Sequence, residues 1–193
     1  MMRQQRYRNP GGLWLLGLIV ALVMSGCDST TTSETVTLQP KTITFEFPQF
    51  SADDAQGGTL QINSLNQEDL ESELRADGFS RGEVVQATIT RVELERRSVG
   101  SAAESAAPKV FGFLVSGEAQ LTQGGTTQTV AERDAFDPNA AVTPMSITTG
   151  NATSFVSASS PFGARLDLDV ENIGVGPYRV ALNITFRIEV EGV

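Results

Sequence analysis

The C-terminal run of the chain leaves little choice of conformation. Ala164, Leu166, Leu168 and Val170 alternate with Arg165, Asp167, Asp169 and Glu171. After Asn172–Pro177, the apolar residues Val180, Leu182, Ile184, Phe186, Ile188 and Val190 keep the same period of two, with Arg187, Glu189 and Glu191 on the other parity. Side chains two apart share one face of an extended strand, whereas a helix would scatter them around its axis. Two strands, each with one buried face, are therefore predicted. If they form a hairpin, their faces match when paired numbers sum to an even value, as in Val170 opposite Val180 and Leu166 opposite Ile184.

Alternation recurs upstream. Thr42–Phe47 places Ile43, Phe45 and Phe47 on one face, and Pro48 with the Ser51–Gly58 loop ends that strand. In Glu83–Arg97, Val85, Ala87 and Ile89 share one parity while Val92 and Leu94 share the other. A strand changes faces only through an extra residue, so a β-bulge is predicted near Thr90-Arg91. Leu114–Thr122 reads as a strand with Val115, Gly117, Ala119 and Leu121 inward, and Gly124-Gly125 turns it into a hairpin with Thr126–Glu132. In the stretch Arg133–Phe162, Met145-Ser146-Ile147 and Phe155-Val156 are expected as short strands. The one good helix is Gln67–Asp77, capped by Asn66, started by Glu68 and Asp69 and stopped by Gly78. Leu70 and Leu74 share its inner side, and it is expected to close one end of a sheet pair. Ser98–Pro108, rich in Ala and Ser, reads as a loop.

Seven or eight short strands, turn signals between them and one-sided burial predict a mainly β fold, an antiparallel Ig-like β-sandwich with one short helix near 67–77. Nothing in the order of elements is βαβ-like. The order of a short helix, a long bulged strand and then hairpins resembles uncharacterised sandwich domains of bacterial envelope proteins. That resemblance brings no activity with it.

The N-terminal segment has a different character. Arg3, Arg6 and Arg8 precede an apolar run of 12 residues, Leu13–Met24, which ends in Ser25-Gly26-Cys27. This is the layout of a secretory signal, and the run is shorter than the roughly 20 residues that cross a bilayer as a helix. Met24-Ser25-Gly26-Cys27 resembles the lipobox of bacterial lipoproteins, with Met24 where the family prefers Leu. The resemblance implies cleavage between Gly26 and Cys27, a diacylglycerol on the Cys27 thiol and an acylated new N-terminus. Acyl chains contribute about 0.8 kcal/mol per buried CH₂, enough for two or three to hold a protein at a membrane. Residues 1–26 would thus be a signal peptide, 27–38 a lipidated cysteine with a polar tether, and 39–193 a single sandwich domain. An aspartate after the cysteine, here Asp28, resembles an inner-membrane retention signal in some bacteria. That rule does not transfer between lineages, and the outer membrane is the favoured location within the cell envelope.

Several kinds of chemistry are excluded. The chain has no histidine and a single cysteine, which the lipid would occupy, so Ser-His-Asp and Cys-His catalysis and His- or Cys-ligated metal sites cannot be built. Removing residues 1–26, with three arginines and no acids, takes the formal charge from −9 to −12, against any nucleic-acid partner. Gly57-Gly58 and Gly124-Gly125 lack the lysine and the strand–turn–helix setting of phosphate loops. Trp14 and Tyr7 leave with the signal, so Tyr178 is the one Tyr or Trp left as a sugar platform. A glycosidase needs one carboxylate pair across a cleft, and none of the 23 acidic residues is singled out. No catalytic residue is therefore assigned and no cofactor expected beyond the acyl chains on Cys27. Calcium is the remaining metal question, and the oxygen-rich loops Asp134, Asp137 and Asn139, and Asp53-Asp54, are its candidate ligands. Neither has the spacing of a known calcium loop.

The expectation is a lipid-anchored envelope protein whose sandwich does structural or protein-binding work, with an envelope protein as partner, and is not an enzyme. The alternatives are a calcium-assisted ligand-binding or adhesin-like surface domain, and a carboxylate-based hydrolase.

Overall fold

Two antiparallel five-stranded sheets pack into a β-sandwich along the apolar faces that the alternation predicts. The structure, a computed structural model, describes residues 34–51, 54, 58–64, 70–97, 110–170 and 177–192. The signal segment 1–26, Cys27, Asp53, Asn66, the Ser98–Pro108 loop, Glu171 and the start of the following turn lie outside the described residues. Glu34–Val193 group together as one unit.

The first sheet contains β1 (Thr35–Thr37), β2 (Lys41–Glu46), β4 (Val84–Arg96), β7 (Val142–Pro144) and β10 (Val180–Glu191). Its centre is β10, with β4 on one side and β1 and β2 in succession on the other; β7 flanks β4. The second sheet has the order β3 (Thr59–Asn63), β9 (Gly163–Val170), β5 (Leu114–Gln123), β6 (Thr126–Arg133), β8 (Ser146–Ile147). Two short α-helices, α1 (Glu71–Ala76) and α2 (Thr153–Ser157), and two 3₁₀ turns, Arg81–Glu83 and Val110–Phe113, complete the described elements. Among the described residues there are ten strands rather than seven or eight: β8 falls within the expected Met145–Ile147 strand, whereas β1 and β7, three residues each, and β3, in which only Leu60 and Ile62 alternate, carry too short a pattern to be expected.

Most local expectations hold. Ile43, Phe45 and Phe47 are buried, as are all six alternating residues of β10. The bulge in β4 falls at Thr90: Arg91 pairs with Thr185 and Ile89 with Phe186, so Thr90 is the extra residue. Gln123 pairs with Thr126, and both intervening glycines have positive φ (56° and 86°), as a two-residue type I′ turn demands. At the end of α1, Gly78 (φ 89°) donates its N–H to the Arg75 carbonyl and Phe79 donates to Leu74, the paired bonds of a Schellman cap. Leu70 and Leu74 are buried.

Four expectations need correction. The β9–β10 hairpin does not form: β9 pairs with β3 and β5, β10 with β1, β2 and β4, so Val170 and Val180 lie in different sheets. Both strands still bury their apolar parity, since the inner faces of the two sheets share one core. Val85 and Val115 point outward (49% and 41% exposed) because each is itself a bulge residue, and Val84 and Leu114 take the inward places. Thr35–Thr37, assigned to the tether, pair with Glu189–Glu191 as β1. Phe155-Val156 lies in α2, not in a strand. Both side chains are buried, which consecutive strand residues achieve poorly because they face opposite sides.

Phe162, fully buried just ahead of β9, joins the layers. Its ring centroid lies 5.8 Å from Phe45 of β2, 6.1 Å from Phe186 of β10 and 6.5 Å from Phe155 of α2. Gly117 of β5 is small for a reason too: a Cβ there would lie 2.8 Å from Leu168 Cδ2 and 3.3 Å from Phe136 Cζ.

Candidate functional site

The outward parity of the second sheet carries its polar chemistry. Register puts Gln61 of β3, Asp167 of β9, Glu118 of β5 and Glu132 of β6 in one cross-strand row. A parallel row joins Thr59, Asp169 and Ser116. Apart from Gln61, these residues line a groove of about 240 Å³ together with Arg133 and Asp134. Like charges on neighbouring strands repel, so such a row needs donors between its members. Arg165 supplies two, from Nε to Asp167 Oδ1 (2.7 Å) and from Nη2 to Oδ2 (2.9 Å). The Gln120 amide bridges Asp167 Oδ2 (3.1 Å) and Glu118 Oε2 (3.5 Å). Asp169 accepts from the hydroxyls of Ser116 (2.6 Å) and Thr59 (3.3 Å). These bonds spread the negative charge over a hydrogen-bonded surface and do not set two carboxylates across an enclosed cleft.

Of the predicted calcium residues, Asp137, Asn139 and Asp54 are engaged in local turns. Asp134 follows β6 at the rim of the groove. Asp137 Oδ1 accepts the Asn139 N–H (2.8 Å) and its carbonyl accepts the Ala140 N–H (3.1 Å), so this pair closes a turn on itself. Asp54 accepts from the Ser51 N–H (2.5 Å) and hydroxyl (3.0 Å); the backbone donor above all holds its carboxyl below the usual range. Among the described residues, no group of three His, Cys, Asp or Glu is placed to hold a metal ion. Cys27, Gly26 and Asp53 lie outside the described residues.

A second cavity, of about 390 Å³, lies between the start of β4 and α2 and is lined by Glu71, Ser80, Arg81, Gly82, Ser157 and Ser159. Arg81 is only 3% exposed. Its Nη1 donates to the carbonyls of Ala158 (2.5 Å) and Ser160 (2.7 Å), and its guanidinium carbon lies 5.8 Å from the Phe162 ring centroid. Gln123, at the end of β5, donates to Phe155 and Ser160 carbonyls from the other side. Beside it, Glu83 Oε2 accepts from the Ser80 hydroxyl and N–H (both 2.7 Å), which hold the carboxyl below its ordinary range, the hydroxyl more than the N–H. Arg81 and Gln123 thus fasten the α2 turn to the sandwich. No sequence signal marks Arg81, which sits in an unremarkable Ser-Arg-Gly-Glu stretch; its burial depends on carbonyls 77 and 79 residues away.

No protein-family model matches the chain, and comparison with curated proteins finds no match either.

Proposed function

We propose that this protein is a cell-envelope lipoprotein, held to a membrane by acyl chains on Cys27, whose β-sandwich does non-catalytic structural or protein-binding work. The observation that carries the reading is the succession of basic residues, a short apolar run and Ser25-Gly26-Cys27 at the start of the chain. The fold is compatible with such an attachment. The Gly192 N–H donates to the Glu34 carbonyl (2.6 Å), so the described chain begins beside the end of β10. Six residues lie between Cys27 and Glu34, and the seven steps span a contour of at most about 25 Å at 3.3–3.6 Å per residue. The sandwich would then sit close to the membrane surface, favoured as the outer membrane.

Non-catalytic work is supported by the chemistry available: no histidine, one cysteine committed to lipid, and carboxylates tied into a hydrogen-bonded outer face. A sandwich of this kind binds proteins most directly by accepting a strand at an open sheet edge, where main-chain groups supply the bonds. The test is Cys27→Ala. It should abolish labelling by a fatty-acid analogue and move the protein from the membrane to the soluble fraction; a variant that stays labelled and membrane-bound overturns the reading. Crosslinking in intact cells, with mass spectrometry of the products, should then yield one dominant envelope protein.

A further inference from the structure

The sandwich has four edges among its described strands, and three carry devices that discourage further pairing. The β1–β2 edge is interrupted at Pro40 and bears Lys41 and Glu46. The β7 edge has three residues and ends in Pro144, and the β8 edge has two. Charges, prolines and very short strands are the usual means of blunting an edge. The fourth edge, β3, has none of them. Thr59-Leu60-Gln61-Ile62-Asn63 contains no charge and no proline and pairs with β9 without a bulge. Among the described residues no strand lies beyond it.

The phase of the ladder decides what this edge presents. The Val170 N–H donates to the Gly58 carbonyl (2.6 Å) and the Ser64 N–H to the Ala164 carbonyl (2.8 Å). Hydrogen-bonded pairs alternate along an antiparallel ladder, so residues 58, 60, 62 and 64 turn their main-chain groups towards β9. Thr59, Gln61 and Asn63 turn theirs to the open side. Their side chains lie on the exposed outer face, while Leu60 and Ile62 are buried on the core face.

We propose that β3 pairs antiparallel with β3 of a second copy, about a two-fold axis through Gln61, joining the two second sheets into one. In this register Gln61 faces Gln61 and Thr59 faces Asn63 of the other copy. Each outward N–H and C=O of the three residues then finds a partner, and no other register of the two strands satisfies all of them. Leu60 and Ile62 stay buried on the core side of their own copies, and no like charges are opposed within the strand pair. The arrangement is isologous and closed, so it stops at a dimer. The proposal rests on the reading above only for its mode of binding, strand addition, and requires neither the lipid nor an envelope partner.

The test uses the full chain purified in detergent. Hydrogen-bonded antiparallel pairs hold their Cα atoms about 5.5 Å apart, within the range that a disulfide spans. Under mild oxidation, Gln61→Cys should become a covalent dimer linked through residue 61. Thr59→Cys and Asn63→Cys should each stay uncrosslinked alone but join when mixed, above the background of the unsubstituted chain. By sedimentation the unsubstituted chain should have twice the mass of one copy. Gln61→Lys, which opposes two like charges on the axis, should return it to a single copy with unchanged Tm and circular dichroism. A chain that sediments as a single copy, a dimer that survives Gln61→Lys, or crosslinking that does not distinguish positions 59, 61 and 63 would overturn the pairing. Crosslinking from position 61 to a different envelope protein also overturns it while leaving the protein-binding reading intact. Loss of lipid from the reading, by the Cys27 test, leaves the dimer untouched.

Discussion

Truncating Phe162 should loosen both layers of the sandwich at once. The ring is fully buried and meets one aromatic ring from β2, one from β10 and one from α2 at centroid separations of 5.8, 6.1 and 6.5 Å, with the Arg81 guanidinium carbon 5.8 Å from its centre. Phe→Ala changes in packed cores cost about 3–5 kcal/mol, the sum of lost transfer energy and a cavity that neighbours fill only in part. The upper half of that range is expected, because the neighbours belong to three separate elements and cannot collapse together without bending a sheet. Aromatic pairs add about 0.5–1.5 kcal/mol each beyond area burial, though such terms do not sum. For a domain of this size the loss corresponds to a fall in Tm of roughly 8–20 °C. Phe162→Leu keeps most of the volume and should cost about 1.5 kcal/mol or a little more, chiefly from the lost ring contacts. Urea denaturation followed by circular dichroism, with equal slopes for the three proteins, gives the comparison directly. Two results would refute the reasoning. An alanine variant within about 1 kcal/mol of the parent would mean that Phe162 does not bridge the layers. A leucine variant as damaged as alanine would mean that ring geometry, not filled volume, holds them.

Other perturbations probe separate links. Gly117→Ala should destabilise by about 1–3 kcal/mol, since the new methyl meets Leu168 at 2.8 Å in a filled core, and Leu168→Val in the same chain should recover part of the loss in a denaturation series. At Gly125, with φ of 86°, alanine should cost about 1–2 kcal/mol by the same measurement, and asparagine less, because only glycine enters that region freely. The carboxyls of Glu83 and Asp54 titrate below their ordinary range in the folded protein, so their contribution is complete above the unfolded carboxylate range near pH 4 and is lost as pH falls through the folded value. Glu83→Gln and Asp54→Asn should each flatten the acid limb of stability against pH, and an unchanged limb would show that the Ser80 and Ser51 donors do not matter. Millimolar calcium should leave Tm where it is; a rise of several degrees, as a ligand of the native state produces, would favour the ligand-binding alternative.

The residues that were legible in the chain are those whose structure is decided locally. Period-two burial of β2, β9 and β10 follows from the pleat; the bulge at Thr90 follows from a change of parity; the Gly124-Gly125 turn and the Gly78 cap follow from backbone angles that other residues resist. Parity, however, says which face of a strand is buried and not which sheet the strand joins. In a sandwich the inner faces of both sheets bury on the same core, so β9 and β10 satisfy their alternation equally well as a hairpin or across the two layers. Long-range pairing chose the second, with β9 between β3 and β5 and β10 between β2 and β4. The same limit hid the carboxylate row of Asp167, Glu118 and Glu132, which exists only through register, and the burial of Arg81, which depends on carbonyls of a distant turn. What the amino-acid sequence determined by itself was the strand faces, the turns and the absence of any histidine from the given chain. Only the tertiary structure decided which strands are neighbours, and hence that β3 is the edge left unguarded among the described strands, because neighbours are chosen by the packing of the whole core and not by any one strand.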